Sequence, residues 1–357
     1  LDIDNIPLDD KKTFELLADG KMTGVFQLES RVAQSTSRSL KTNTFEDIVA
    51  LVALIRPGPL GAGMHNEFTD RATGRKDIEY LHKDLEEILS ETYGVILYQE
   101  QVMQIAQKIS GFELEEADEL RKAMGKKIPK VMEKQREKFT IGATKNGYSE
   151  QFAIELFDQI AYFAGYGFNK SHSVPYALLA YQTAYLKANH PAEYIAACLT
   201  AVKRDKDRTA IFLSEARDLG VKVSTPDINE SLEDFSVSNN EIVFGISAIR
   251  NVGDITAEKI INERGNGPFE TIEEFLSRID SRSLNKRGIE AMVQGGAFDR
   301  FGFPRKGVFE SITDLIEDAK DLKKNGQSSQ GSLFELDDSE NKTKIQNVEW
   351  DKKELLD

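Results

Sequence analysis

The sequence predicts a mainly α-helical protein with one short region of strands. Apolar residues recur at helical spacing through most of residues 1–203. Between residues 204 and 245 the pattern changes to short β-branched and aromatic runs, which are typical of strands. Helical patterns with tight glycine turns return over residues 246–321, and residues 322–357 are largely polar. We therefore expect a multi-helix domain, a small α+β segment, a tandem helix-hairpin-helix domain and a disordered tail.

The charge of the chain is acidic overall but unevenly distributed. The 357 residues include 46 Lys and Arg against 60 Asp and Glu, a net charge of −14, which taken alone argues against nucleic-acid binding. Residues 121–145, however, hold nine basic and two acidic residues. Such a segment can steer a polyanion, and it can equally be the solvated face of a helix. Charge alone leaves both interpretations open.

Composition also bears on the cellular compartment. With 40% hydrophobic residues the chain can bury ordinary cores, yet no run approaches the roughly 18 apolar residues of a membrane span. The first residue is Leu1 and no signal-peptide pattern follows, so we expect a cytoplasmic fragment of a longer protein. The single cysteine, Cys198, lies in an apolar run and is expected to be a small buried hydrophobic residue.

Amphipathic helices account for most of the first 163 residues. Helical patterns are found at Phe14–Ala18, Phe45–Ile55, Gln99–Ser110, Leu114–Met124, Pro129–Asn146 and Phe152–Phe163. The second of these ends at Arg56, because Pro57 displaces the residue before it from the helical region. The turn around Gly58 is made rigid by Pro57 and Pro59, which fixes where the Arg56 side chain points.

A cluster of cations follows the helix at Leu114–Met124. Arg121 and Lys122 lie at its C-terminal end, and Lys126 and Lys127 follow in the turn after it. Cations complement the negative end of a helix dipole, but four in seven residues exceed what a helix end requires. The cluster is therefore a candidate for binding an anionic ligand.

The loop at Phe163–Ser173 is a second candidate for an anion site. It combines glycines and aromatic residues with the polar side chains of Asn169, Lys170, Ser171 and His172. It leads into a helix predicted over Val174–His190, with Ser173 as N-cap and Pro175 in the first turn. Backbone N–H groups and the helix dipole favour an anion at such a terminus. The alternative is a purely structural loop that joins two core helices.

Helix-hairpin-helix patterns follow the region of strands. The predicted strands are Val221–Val223, Phe235–Val237 and Ile242–Phe244, with a hairpin turn at Asn239-Asn240. Ile246–Ile260 then reads as two helices around the turn residues Asn251, Val252 and Gly253. Such a hairpin contacts DNA phosphates through N–H groups of its second helix, although purely structural hairpins also occur. Leu284–Phe298 is a weaker partner repeat, with its turn at Gln294–Gly296.

The polar tail contains one apolar pair. Leu333 and Phe334 lie within the pentapeptide that begins at Gln330. Apolar residues in a polar tail are typical of an interaction peptide. The alternative is local packing on the preceding domain.

Five stretches of the chain form an ordered set of motifs. They are Gly24–Ser30 (GVFQLES), Arg56–Pro59 (RPGP), Tyr98–Met103 (YQEQVM), Arg121–Lys127 (RKAMGKK) and Gly165–Ser173 (GYGFNKSHS). In this order they closely resemble the C-family DNA polymerases, the family of the bacterial DNA polymerase III alpha subunits. The resemblance covers nearly the whole chain and does not depend on any single motif. The tail pentapeptide in turn resembles the bacterial sliding-clamp-binding motif.

The resemblance implies roles for particular residues. The fingers domain of this family covers the incoming deoxynucleoside triphosphate (dNTP). The implied dNTP-binding residues are Arg56, Arg121, Lys122, Lys126, Lys127, Asn169, Lys170, Ser171 and His172. Many family members have Arg at the position of Lys122, and lysine is a point charge rather than a bidentate donor. Ser171 and His172 would crowd the 2′ position of the sugar and so discriminate deoxyribose from ribose.

The resemblance also implies a division into domains. Residues 1–203 would be the fingers, 204–245 a fingers extension, 246–321 the helix-hairpin-helix DNA-binding domain, and 322–357 the segment with the clamp-binding motif. In the family, the catalytic aspartates lie on a palm domain upstream of the position of Leu1. Mg²⁺ is therefore expected to be bound by absent palm residues, and the chain alone is expected to be inactive.

Two functions from different classes remain open. The first is part of the catalytic alpha subunit of bacterial DNA polymerase III, in template-directed DNA synthesis during chromosomal replication. Its expected partners are dNTPs, primer-template DNA at residues 251–253, the sliding clamp at Gln330, Leu333 and Phe334, and other replicative holoenzyme subunits, with no membrane. The second is a non-catalytic, clamp-tethered DNA-binding scaffold that kept a fingers-like fold. A palm with paired aspartates upstream would distinguish the two.

Overall fold

The computed structural model of the chain forms two compact units, residues 1–189 and residues 190–357. The structure describes residues 1–126, 129–163, 166–280, 283–327 and 343–351. Both units are mainly helical, and the second also contains a small sheet. The mainly α-helical fold class predicted from the sequence is confirmed.

Helices joined by loops make up most of the described part of the first unit. Its α-helices are α1 Lys11–Ala18, α2 Arg31–Leu40, α3 Phe45–Leu54, α4 Pro57–Gly61, α5 Met64–Ala72, α6 Glu86–Leu89, α7 Gln99–Ser110, α8 Leu114–Lys126, α9 Pro129–Lys145, α10 Glu150–Phe163 and α11 Lys170–Asn189. Short 3₁₀ turns occupy Ile3–Asn5, Lys83–Leu85 and Ser90–Thr92. The helices divide between two apolar cores.

The two cores of this unit carry different candidate sites. The first core joins α1, α2, α3 and α11 around the fully buried Leu17, Leu51 and Tyr181. The second joins α7, α8, α9 and α10 around the fully buried Ile105 and Leu120. Helix α11 packs in the first core and α8 in the second.

The start of α11 differs from its prediction. The helix begins at Lys170, and its cap is Asn169, whose Oδ1 accepts a hydrogen bond from the N–H of His172 at 2.9 Å. Ser173, the predicted cap, is fully buried and donates its hydroxyl to the carbonyl of Val49 at 2.6 Å. Pro175 therefore lies inside the helix. The helical bond that it cannot make would have gone to the carbonyl of Ser171, at the exposed start of the helix.

The second unit combines helices with a three-stranded sheet. Its α-helices are α12 Pro191–Val202, α13 Lys206–Asp218, α14 Asp254–Arg264, α15 Ile272–Arg278, α16 Lys286–Gly295, α17 Arg305–Glu310 and α18 Ile312–Gln327. The strands are β1 Val223–Ser224, β2 Ser236–Ser238 and β3 Glu241–Val243. Their order is β1-β3-β2, with β1 parallel and β2 antiparallel to β3. Asn239 and Asn240, both with left-handed φ angles of 51° and 63°, form the hairpin turn that the sequence predicted.

Helix α12 packs within the second unit, although the sequence analysis grouped it with the first. Its apolar face, with Ile195 and Leu199, shares a core with Phe212 of α13 and Ile242 of β3. Cys198 is half-buried at the edge of this core rather than fully buried. The burial of apolar side chains against the sheet decides which unit contains the helix.

The helix-hairpin-helix region is shorter at its start than predicted. The segment before residues 251–253 is a 3₁₀ helix, Ile246–Ala248, and only the second arm, α14, is an α-helix. Val252 is buried in the core of this region, and Asn251 takes a left-handed φ of 62°. In the partner repeat, α16 continues to Gly295 and turns at Gly296, whose φ is 88°.

Within the tail that was predicted to be disordered, residues 322–327 and 343–351 are ordered. Helix α18 continues to Gln327, and residues 343–351 pack against the second unit. The N–H of Gly307 donates to the carbonyl of Val348 at 3.0 Å, and the ring of Trp350 lies 5.5 Å from that of Phe309. A Cβ at Gly307 would lie 2.0 Å from the carbonyl oxygen of Gln346. Apolar residues near the end of the chain thus find partners that the polar composition of the tail concealed.

Candidate functional site

Two of the five motifs meet at the loop before α11. A parallel β-bridge joins Tyr98 and Phe168, and the N–H of Gln99 donates to the carbonyl of Phe168 at 2.9 Å. The side chain of Gln99 donates to the carbonyl of Gly167 at 3.3 Å. A Cβ at Gly167 would lie 2.8 Å from the ring of Phe163, so a glycine is required there. The YQEQVM and GYGFNKSHS motifs are therefore one structural element.

Arg56 of the RPGP motif holds the same loop. Its Nη2 donates to the carbonyl of Tyr166 at 2.7 Å, its Nε donates to the carbonyl of Ala53 at 2.9 Å, and its guanidinium lies 4.1 Å from the centroid of the Phe168 ring. Burial lowers the pKa of Arg56 from its ordinary value. Beside it, a Cβ at Gly58 would lie 2.6 Å from the ring of Tyr166. The contacts of Arg56 thus position the loop.

The N-terminus of α11 already has an anion, the carboxylate of Glu100. The N–H of Lys170 donates to Glu100 Oε1 and Oε2 at 3.0 and 2.9 Å, and the N–H of Ser171 donates to Oε1 at 3.4 Å. The Nζ of Lys170 is paired with Glu91 at 2.5 Å. The sequence predicted that this terminus could hold phosphate. In this structure the protein's own carboxylates occupy that environment.

A row of rings in edge-on and tilted contact leads away from this terminus. The His172 ring lies 5.6 Å from Phe168 on one side and 4.5 Å from Tyr176 on the other, between centroids. Tyr176 in turn lies 5.6 Å from Phe26 of the GVFQLES motif. His172 and its neighbour Ser171 are exposed. Four of the five motifs thus converge on an exposed face that presents a hydroxyl, an imidazole and aromatic rings.

The fifth motif supplies the cations of α8, and they are paired with a residue that the sequence analysis did not identify. Arg121 Nη2 lies 2.7 Å from Asp118 Oδ1, and Lys122 Nζ lies 2.7 Å from Asp118 Oδ2. Hydrogen bonds from Lys122 and Arg121 hold the pKa of Asp118 below its ordinary value. Side chains of Arg121 and Lys122 are 31% and 61% exposed, so both can reach a ligand. Lys127 and the side chain of Lys126 lie outside the described residues.

Three carboxylates of the first unit, those of Glu91, Glu100 and Asp118, were not among the residues predicted for the site. Glu100 belongs to the YQEQVM motif, but nothing in the sequence shows which N–H groups it accepts from. Asp118 could have been found, because it lies three and four residues before Arg121 and Lys122, at the spacing of helical ion pairs. Glu91 is 79 residues from Lys170, and only the fold brings the two together.

In the second unit, the hairpin presents an open helix N-terminus. Gly253 is the N-cap of α14 and has no side chain to accept a hydrogen bond. The N–H groups of Asp254, Ile255 and Thr256 have no partner within the described part of the chain. A cavity of about 460 Å³ adjoins them, with Arg204 and Lys259 in its lining. This geometry suits an anion better than the start of α11 does.

An ion network anchors this hairpin. Lys203 Nζ bonds Asp234 at 2.6 Å, Ser247 at 2.9 Å and Asp254 at 2.9 Å, with its side chain 15% exposed. Arg204 bonds the other oxygen of Asp254. The hydrogen bond from Lys203 lowers the pKa of Asp254. The network fixes the first residue of α14 but places one negative charge beside the open N–H groups.

Three further expectations concern features away from these sites. The clamp-binding residues Gln330, Leu333 and Phe334 lie outside the described residues. Within the described ranges, no group of three or more His, Cys, Asp or Glu side chains is arranged to hold a metal ion. No helix in that part of the chain is both long enough and apolar enough to span a membrane.

Comparison with known proteins defines the class of protein. Residues 1–147 match the family model of the bacterial DNA polymerase III alpha subunit finger domain, and residues 220–308 match a helix-hairpin-helix motif model. The finger-domain match lies within the first unit, and the helix-hairpin-helix match lies within the second.

The relatives identify the family more closely. The chain is 46% identical to DNA polymerase III subunit alpha of Escherichia coli (strain K12) over 341 residues, 94% of this chain and 29% of the relative. It is 43% identical to the subunit of the same name from Mycobacterium tuberculosis (strain H37Rv) over 368 residues, 100% of this chain and 31% of the relative. The resemblance to the bacterial DNA polymerase III alpha subunits is confirmed, and the chain spans about 30% of the length of these relatives.

Proposed function

We propose that this chain binds the incoming dNTP and primer-template DNA as part of a replicative DNA polymerase. The observation that carries the proposal is the convergence of four motifs on the exposed Ser171–His172 face. Its hydroxyl and imidazole suit a deoxyribose, and the adjoining rings suit a planar base. The cations of α8 supply the charge that a triphosphate requires.

The triphosphate belongs with the cations of α8 in this proposal. Glu100 fills the N-terminus of α11, and a phosphate there would meet a carboxylate. Arg121 and Lys122 instead share one carboxylate, Asp118, between two cations. A triphosphate carries more charge than Asp118 and can replace it as their partner. Lys126 and Lys127 would extend the same cationic patch.

The other residues proposed to bind the dNTP would act by holding the site in shape or by restricting the space around the sugar. Arg56, Asn169 and Lys170 hold the loop and the first turn of α11 through the contacts described above. Ser171 and His172 would then lie at the 2′ carbon of the sugar, where an added hydroxyl would clash. Discrimination against ribose by this route depends on a rigid wall rather than on a new hydrogen bond.

Phosphoryl transfer would require residues beyond this chain. The described residues do not offer the carboxylate cluster that a two-metal centre needs. The Mg²⁺ ions would be held by palm aspartates elsewhere in the whole polymerase. The contribution of this chain is positioning and electrostatic stabilisation, which account for much of phosphoryl-transfer catalysis.

DNA and protein partners complete the proposal. The open N–H groups at the start of α14, with Arg204 and Lys259, would contact backbone phosphates without sequence preference. Gln330, Leu333 and Phe334 would bind the sliding clamp, and further holoenzyme subunits would assemble around the whole polymerase in the cytoplasm.

Nucleotide binding by the 357-residue chain tests the proposal. Calorimetric titration with dATP should show at least about 10-fold weaker binding for Arg121→Ala, because a charge-assisted contact contributes about 1.5–3 kcal/mol. The Asp118→Asn variant should bind dATP more tightly than the parent, since both cations lose their competing partner. Lys134→Ala, which removes an exposed cation from α9, is the matched control and should change nothing.

Two results would contradict this assignment. Undiminished dATP binding by Arg121→Ala would remove the α8 cations from the nucleotide site. If no variant binds dATP measurably while duplex DNA is still bound, the DNA-binding scaffold becomes the better description of the chain.

A further inference from the structure

A groove in the second unit is not accounted for by nucleotide, DNA or clamp binding. It has a volume of about 730 Å³ and runs between strand β1 and the C-terminal part of α16. Its floor includes Leu213 of α13, Phe244 after β3 and Ala291 of α16. Helix α16 lies close to the opposite wall, since a Cβ at Gly295 would be in ordinary van der Waals contact with Pro226, at 3.7 Å. The groove therefore combines an apolar floor with a defined width.

The charge of the groove is opposite to that of the chain. Its lining contains the cations Arg217, Lys222 and Arg250 and no acidic residue, whereas the whole chain has a net charge of −14. Lys222 is paired with Glu241 at 2.9 Å. Arg217 and Arg250 are exposed and have no ion pair within the described part of the chain. Two unneutralised arginines thus flank an apolar surface.

One wall of the groove is the free edge of a sheet. Strand β1 is the edge strand, and the carbonyl of Lys222, the residue before it, accepts from the N–H of Ile242 at 2.8 Å. In a parallel pair, alternate residues point their backbone groups toward the neighbour. The register Val223–Ile242 therefore turns the N–H and carbonyl of Val223 away from β3, toward the groove side of the strand.

We propose that this groove binds an extended acidic segment of a partner protein. Carboxylates of the segment pair with Arg217 and Arg250, an alternating apolar side chain enters between Phe244 and Ala291, and its backbone bonds that of Val223. The edge offers only a few backbone bonds, so the arginines and the apolar floor supply most of the affinity and the specificity for acidic residues. A nucleic acid would also satisfy the arginines, but Phe244 is the single aromatic side chain in the lining, and single-stranded binding relies on rows of them.

The test uses the 357-residue chain and a fluorescein-labelled, eight-residue peptide of alternating glutamate and leucine. Fluorescence anisotropy should show saturable binding of this peptide and none of the matched peptide of alternating lysine and leucine. The double variant Arg217→Glu/Arg250→Glu should bind the acidic peptide at least about 10-fold more weakly. A second double variant, Lys206→Glu/Lys320→Glu, makes the same change in net charge at exposed cations outside the groove and should bind normally.

A variant that leaves the charge unchanged tests the apolar floor of the groove independently of the two arginines. Ala291→Trp fills the floor and should abolish binding while both arginines remain. Equal binding of the peptide by the parent and the Arg217→Glu/Arg250→Glu variant would overturn the proposal. The proposal would also be overturned if labelled oligo-dT bound more tightly than the acidic peptide and if Arg217→Glu/Arg250→Glu and Ala291→Trp each weakened the binding of that oligonucleotide. The groove would then be a nucleic-acid site.

Discussion

The N-termini of α11 and α14 were both expected to attract anions, but they differ in whether their first N–H groups have hydrogen-bond partners. At α11 the first N–H groups are taken by Glu100 and the third by its own cap, Asn169. At α14 the cap is Gly253, and the first three N–H groups have no partner among the described residues. The difference teaches that a helix N-terminus becomes an anion site only if the fold leaves its N–H groups unpaired.

Removing Glu100 should produce the largest change at these termini. In Glu100→Ala the amides of Lys170 and Ser171 lose charge-assisted bonds that contribute about 1.5–3 kcal/mol, so their hydrogen exchange should accelerate about 10- to 100-fold. Inorganic phosphate should slow this exchange again in the variant but not in the parent, because the vacated terminus would attract it. Glu119→Ala, an exposed carboxylate of α8, is the control. Unchanged exchange at both amides would show that Glu100 does not protect them.

Filling the open terminus should have a smaller effect. A Cβ at Gly253 meets no atom within 4 Å, and the φ of −88° suits any residue, so Gly253→Val should fold normally. Its branched side chain would project toward the place of a phosphate and should weaken binding of a 20-base-pair duplex about 3- to 10-fold, equally for all sequences. In anisotropy titrations at low salt, the duplex affinity of Gly253→Ala should lie between that of the parent and that of Gly253→Val. Full affinity of the valine variant would exclude this terminus from the DNA contact.

Neutralising the charge beside the open terminus should have the smallest effect. Asp254→Asn removes a negative charge beside the open N–H groups and releases Arg204 toward the ligand, so duplex affinity should rise, by about two- to fivefold. The variant should also be slightly less stable to urea at neutral pH. Because Lys203 lowers the pKa of Asp254, the carboxylate stabilises the fold above its ordinary pKa of 3.8, and this contribution is lost as pH falls through the lowered value. The two urea midpoints should therefore converge in acid, and a difference that persists there would have another cause.

Sequence patterns revealed the helices and the motifs, and they failed where long-range partners decide the structure. The hairpin turn at Asn239-Asn240 follows from local backbone preferences, and it was predicted correctly. Ser173 was expected to cap α11 because of its position before Pro175, but its hydroxyl bonds Val49, 124 residues away. Glu100 lies 70 residues from the N–H of Lys170. No local sequence pattern reveals a contact between residues that lie so far apart in the chain.

The packing of residues 343–351 has a topological consequence for the proposed clamp contact. Gln330, Leu333 and Phe334 do not belong to a free end, since the chain is fixed before them at α18 and after them where Val348 meets Gly307. Fifteen residues connect Gln327 to Thr343, and a fully extended chain of that length measures about 50 Å. Because both ends of this connection are attached, its midpoint lies within about 25 Å of the two attachment points. A clamp bound there would stay close to the second unit. Its rotation would be limited because two connections, instead of one, join its binding motif to that unit.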